Sequence, residues 1–139
     1  MRKKRLLIDA NSITSYLRDG TLTGIGRTTY ELLCQLNKLY DTLPFEIVVY
    51  SLNTKGISSK GLFRFRTLHF CWPDRNKYKQ LLYPLRIRKC ISKYDLNHIP
   101  HNIDVLEDVS NTILTIHDVM SYRFSDVWGS VYWGMPEKE

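Results

Sequence analysis

A chain of 139 residues has room for one domain, and its 43% apolar and 12% aromatic content, with nine Tyr, supplies a single core and argues against disorder. No apolar run approaches the roughly 20 residues that cross a bilayer as a helix. The net charge is +6, with lysine and arginine crowding residues 2–5 and 75–93 while most acids fall in the last third. Such a basic face attracts anions (nucleotides, nucleic acid or acidic lipid headgroups), and sign alone does not choose among them.

The basic start Met1–Arg5 is followed by only Leu6-Leu7-Ile8 before Asp9, too short an apolar run for a signal peptide, so the expected location is cytoplasmic. Leu6–Ala10 reads as a buried first strand. Asn11–Thr23 is polar, carries the turn signal Asp19-Gly20 and is expected to be a loop. From Thr28 to Tyr40 the apolar residues Leu32, Leu33, Leu36, Leu39 and Tyr40 fall at helical spacing, with Thr23 or the glycines as cap. Asp41–Pro44 breaks the helix. Phe45–Leu52 is β-branched and aromatic and predicts a strand, Asn53–Lys60 a loop, and the alternating Leu62–Phe70 a further strand.

Residues 75–93 predict a helix kinked or divided at Pro84. Asp95–Ile99 predicts a short strand, Pro100–Asn111 a loop, and Asn111–Ile116 a buried strand. The tail from Met120 gives no clear pattern. Strands alternating with helices point to a mostly parallel sheet with helices on its faces. Cys34, Cys71 and Cys90 are odd in number and widely spaced, which predicts reduced, mostly buried thiols rather than a disulfide framework or a zinc site.

Two motifs carry chemistry. Gly24 and Gly26 sit where a loop becomes a helix, where free amides and the helix dipole welcome a phosphate and Arg27 adds a formal charge. The alternative is a turn before a helix, since the third glycine of a dinucleotide fingerprint is missing. His117-Asp118 ends an apolar strand, and imidazole can hold a hydroxyl, act as a base or bind an oxyanion. The alternative is ordinary strand-end polarity. His98-Ile99-Pro100-His101-Asn102 reads as a loop shaping a polar pocket. With His117 and Asp118 it also offers donors for a metal, although Pro100 breaks helical register.

The basic stretch Arg75–Lys93 interleaves with Leu81, Leu82, Leu85, Ile87 and Ile91. It fits either an interfacial helix on acidic lipid or a solvated helix whose apolar stripe packs on the sheet. No recognised nucleic-acid-binding module is present, so no nucleic acid partner is expected.

Taken together, Leu6–Ala10, Thr23-Gly24-Ile25-Gly26-Arg27 with Thr29–Leu33, Asp95–Asn102, and Thr115-Ile116-His117-Asp118-Val119 with Tyr122-Arg123-Phe124 resemble the N-terminal half of a retaining GT-B glycosyltransferase of family 4. The match lies in scattered blocks over about residues 5–126, and the order and spacing of the blocks carry it more than any one of them. The resemblance implies a Rossmann-like open parallel sheet with helices on both faces, one half of a GT-B fold, over residues 1–126, followed by an atypical tail at 127–139.

It also implies a nucleotide-sugar donor and a hydroxyl acceptor as partners, with no cofactor and no catalytic metal. Gly24, Gly26 and Arg27 would approach the donor diphosphate, and His117 would be the catalytic residue near the transferred sugar. His98, His101, Asn102 and Asp118 would line the acceptor side. The family's donor-binding second domain has no counterpart in this sequence. The resemblance therefore implies an inactive isolated chain that a second domain or chain completes, and the basic stretch adds the expectation of a peripheral contact with an anionic membrane at its inner face. Two other readings stand beside it: a non-catalytic partner subunit of the same fold, and a small metal-dependent phosphohydrolase using His98, His101, His117 and Asp118.

Overall fold

A computed structural model describes residues 2–52, 61–70, 77–101 and 111–117. The strands are β1 (Lys4–Asp9), β2 (Phe45–Leu52), β3 (Arg66–Phe70), β4 (Leu96–Ile99) and β5 (Thr112–Leu114). The helices are α1 (Thr14–Asp19), which follows a 3-10 turn at Asn11–Ile13, α2 (Gly24–Lys38) and α3 (Lys77–Ile91). The strands form one five-stranded sheet in the order β3-β2-β1-β4-β5, and every pairing is parallel. This is the α/β, Rossmann-like open sheet expected from the sequence. Parallel strands covered on both faces read as continuous apolar runs, and the buried Leu7, Ile8, Ile47, Val48 and Val49 are such runs.

Strand alternation divides the core in two. Ile8, Ile47 and Val49 face the layer of α1 and α2, where they pack with Ile13, Leu17 and Leu33. Leu7, Val48 and Tyr50 face α3, where they meet Tyr83, Ile87 and Ile91, together with Tyr94. Each fully buried Leu or Ile contributes about 1.5–3 kcal/mol. The β1–β2 register sets Leu6 against Ile47 and Asp9 against Tyr50, and β4 joins β1 with Leu7 opposite Asn97.

Several expectations are corrected. Asn11–Thr23 is not a loop: it holds the 3-10 turn and α1. Ile13 and Leu17, four residues apart, are both buried, and this pair of anchors organises a segment whose composition is otherwise polar. Gly20 ends α1 in the left-handed region at φ 83°, with its amide bonded to the Tyr16 carbonyl, so Asp19-Gly20 is a helix cap. Helix α2 starts at Gly24 rather than Thr28, while the expected cap holds at Thr23, its Oγ1 accepting from the Gly26 amide at 3.0 Å.

The expected strand Leu62–Phe70 is ordered as a strand only from Arg66, and the expected buried strand Asn111–Ile116 is the short edge strand Thr112–Leu114, with Ile113, Leu114 and Ile116 exposed. Before it, Phe63 and Phe65 stack at 5.9 Å on the α2 side, and Arg64 clamps Asp41. Pro84 does not divide α3. Cys34 and Cys90 are half-buried free thiols rather than core residues. Loop Asn53–Lys60, Cys71, the tail from Met120 and the domain boundary at residue 126 lie outside the described residues. Among the described residues no helix is long and apolar enough to cross a membrane.

Candidate functional site at the sheet reversal

The strand order reverses between β1 and β4, and in open parallel sheets the crevice beyond the carboxyl ends at such a reversal is where ligands bind. Asp9 closes β1 there. His101 follows β4, and His117 follows β5. Chain direction brings the start of α2 to the same edge, because its second turn touches both neighbours. Thr29 Oγ1 lies 3.4 Å from the Pro100 carbonyl and accepts from Ser12 Oγ at 2.8 Å.

His117 Nε2 donates to the Pro100 carbonyl at 2.9 Å. A carbonyl can only accept, so the neutral ring carries its proton on Nε2 and Nδ1 is its acceptor nitrogen. The expected catalytic residue thus stands at the reversal, docked on β4's continuation. His98 lies on the α2 side of the sheet, where its Nε2 shares a hydrogen bond with Thr115 Oγ1 at 2.9 Å. Burial pushes its pKa below the ordinary value.

His101 falls on the opposite, α3 side. Its ring and the Asp9 carboxylate are both almost wholly buried, with Nε2 3.2 Å from Oδ1 in a poorly directed approach. Asp9 has better partners. Tyr50 Oη donates to Oδ2 at 2.7 Å and the Asn11 amide to Oδ1 at 2.7 Å. A carboxylate buried this deeply persists only with such donors around it.

The two glycines differ. A Cβ on Gly26 would meet the Ser12 carbonyl at 2.6 Å, whereas one on Gly24 would meet nothing within 4 Å. Close packing of α2 on the 3-10 turn therefore requires Gly26, and its amide already serves the Thr23 cap. Gly24 is exposed, and its amide and that of Ile25 precede the intrahelical ladder. Arg27 is exposed on the same first turn. Asn102 and Asp118 lie outside the described residues.

The structure thus brings His117 and Thr29 of α2 to the Pro100 carbonyl and His101 to Asp9, and it turns His98 and His101 to opposite faces of the sheet. Among the described residues no three His, Cys, Asp or Glu side chains come together as metal donors. Sequence reasoning missed Asp9, Tyr50, Ser12 and Thr29. An acid closing the buried run Leu6-Leu7-Ile8 was the available signal for Asp9. Chemically, the arrangement offers an anion the open amides of one helix start with Arg27 nearby, and an imidazole across the reversal. No family model, no curated protein and no solved structure matches the chain.

Proposed function

We propose that this chain is the acceptor-side half of a GT-B glycosyltransferase, moving a sugar from a nucleotide-sugar donor to a hydroxyl acceptor once a donor-binding domain or chain completes it. The observation that carries the reading is the convergence of His117 and of Thr29, in the second turn of α2, on the Pro100 carbonyl, at the reversal of a parallel sheet. In that role the Gly24 and Ile25 amides and Arg27 face the departing diphosphate. Transfer passes through an oxocarbenium-like state, and fixed donors aimed at the leaving charge lower its energy. His117 stands by the sugar, and His101 lies beneath the acceptor side. The chain works in the cytoplasm with a peripheral contact to anionic membrane through the basic helix α3.

The test is transfer of labelled sugar from a panel of nucleotide sugars, in extracts of source cells with and without the gene. Transfer lost on deletion and restored by the wild-type gene, but not by His117→Ala, supports the proposal. Transfer unchanged by the deletion contradicts it.

One observation favours a second reading, a non-catalytic subunit of the same fold. Both Gly26 and His117 have structural work of their own, against the Ser12 and Pro100 carbonyls. In that case His117→Ala restores whatever the wild-type gene restores.

A further inference from the structure

Helix α3 has two apolar faces. Tyr83, Ile87 and Ile91 bury one against β1 and β2. The other consists of Tyr78, Leu81, Leu82 and Leu85, at the i, i+3, i+4, i+7 spacing of a single stripe. These four are 82%, 76%, 57% and 59% exposed, so the stripe points directly away from the sheet. Exposed large side chains scattered singly need no explanation, but four on one stripe mark an interaction surface.

Charge identifies the partner. At about 100° per residue, Arg86 and Lys79 flank the Leu82 edge of the stripe, Arg88 flanks the Leu81 edge, and Lys89 lies one turn beyond Leu85. All four are exposed. No Asp or Glu occurs from Lys77 to Ile91. A protein interface core favours arginine and depletes lysine, and a basic rim without acids would need an acidic counterpart around it. A stripe of Leu and Tyr bordered on both sides by Lys and Arg instead matches the boundary between acyl chains and anionic headgroups.

We propose that the outward face of α3 docks on an anionic lipid bilayer, with Tyr78, Leu81, Leu82 and Leu85 entering the headgroup–acyl boundary and Lys79, Arg86, Arg88 and Lys89 engaging the headgroups. Docking takes place on the same edge of the sheet as the crevice. Tyr83 Oη donates to the carbonyl of Phe70, the last residue of β3, so the stripe-bearing half of α3 lies at the carboxyl edge of the sheet. This inference rests on the peripheral contact proposed above and not on sugar transfer, so it is measured without a transfer assay.

The experiment is flotation of the full chain with vesicles of phosphatidylcholine alone or with about one-third phosphatidylglycerol. Flotation separates binding from aggregation, because aggregates sink. The wild-type chain is expected to float with the anionic vesicles only, and less so as salt rises. The R86Q/K89Q variant is expected to bind roughly twenty-five-fold more weakly, at about fivefold per charge. The L81Q/L85Q variant is expected to lose binding while keeping the wild-type circular dichroism spectrum, since both leucines are exposed.

Failure to float with anionic vesicles overturns the proposal, as does equal binding to neutral ones. Binding that L81Q/L85Q leaves intact overturns the role of the stripe. Self-association abolished by L81Q/L85Q, without flotation, assigns the face to a second copy of the chain.

Discussion

The Asp9 carboxylate and the His101 ring meet 3.2 Å apart at the reversal of the sheet, both nearly excluded from solvent. Asp9 also has closer partners of its own. Tyr50 Oη and the Asn11 amide fix Asp9, each at 2.7 Å, and those donors tie the end of β1 to β2 and to the turn that begins the α1–α2 layer. The crevice floor is thus a buried hydrogen-bonded knot.

Removing the acid from that knot leaves the Tyr50 hydroxyl and the Asn11 amide without their acceptor. Asp9→Ala is expected to cost about 3–5 kcal/mol of unfolding free energy, as loss of one member of a buried charged network does. Tyr50→Phe removes one bond to a charged group and is expected to cost about 1.5–3 kcal/mol. Urea unfolding of the two variants checks the order, and equal, near-zero effects would mean that the knot does not hold the edge together.

The glycines separate fold from ligand. Gly26→Ala drives a Cβ to 2.6 Å from the Ser12 carbonyl, a backbone atom that cannot swing aside, and is expected to destabilise by about 1–3 kcal/mol. Gly24→Ala meets open space and is expected to change stability by less than about 1 kcal/mol. Thermal unfolding of both distinguishes them. Gly24→Ala is the variant in which a loss of anion binding is not a loss of folding.

His98 carries a pH signature. Burial holds its folded pKa below the unfolded value of about 6.5, so the unfolded chain binds more protons there. Its contribution is fully present above about pH 6.5 and is lost as pH falls toward the folded value. Unfolding free energies of the wild type and His98→Gln should therefore approach each other on acidification from neutral pH, because the variant lacks this titration. Parallel curves from pH 7 to 5 would contradict the assignment.

The sheet was legible because β-branched runs such as Phe45–Leu52 leave few other conformations, and because helices covering both faces allow apolar residues on both. Its order was not, since nothing in Leu96–Ile99 records that it pairs with β1 rather than β3. Helix α1 is not legible in the sequence because Ile13 in the preceding turn and Tyr16 and Leu17 in the helix anchor it amid serine, threonine and asparagine, and their burial is a tertiary fact. The Thr23 cap and Gly20 turn were readable from local chemistry alone. Of the candidate site, His117 could be placed at a strand end, but its bond to Pro100 depends on β4 and β5 being neighbours. Gly26 was read as a phosphate cradle, whereas contact with Ser12, fourteen residues earlier in the chain, accounts for it. Asp9 was hidden because a single acid after Ile8 looks like the end of a strand.

The most direct test of the central claim, that the reversal receives a nucleotide diphosphate, is a two-dimensional amide and imidazole NMR titration of the full chain with UDP, GDP and ADP. The account predicts weak, saturable shifts at Gly24, Ile25, Arg27 and the His117 ring, with Gly24→Ala weakening them while the rest of the spectrum stays in place. Titration to millimolar nucleotide with those resonances unmoved, or with shifts only elsewhere on the surface, would contradict it.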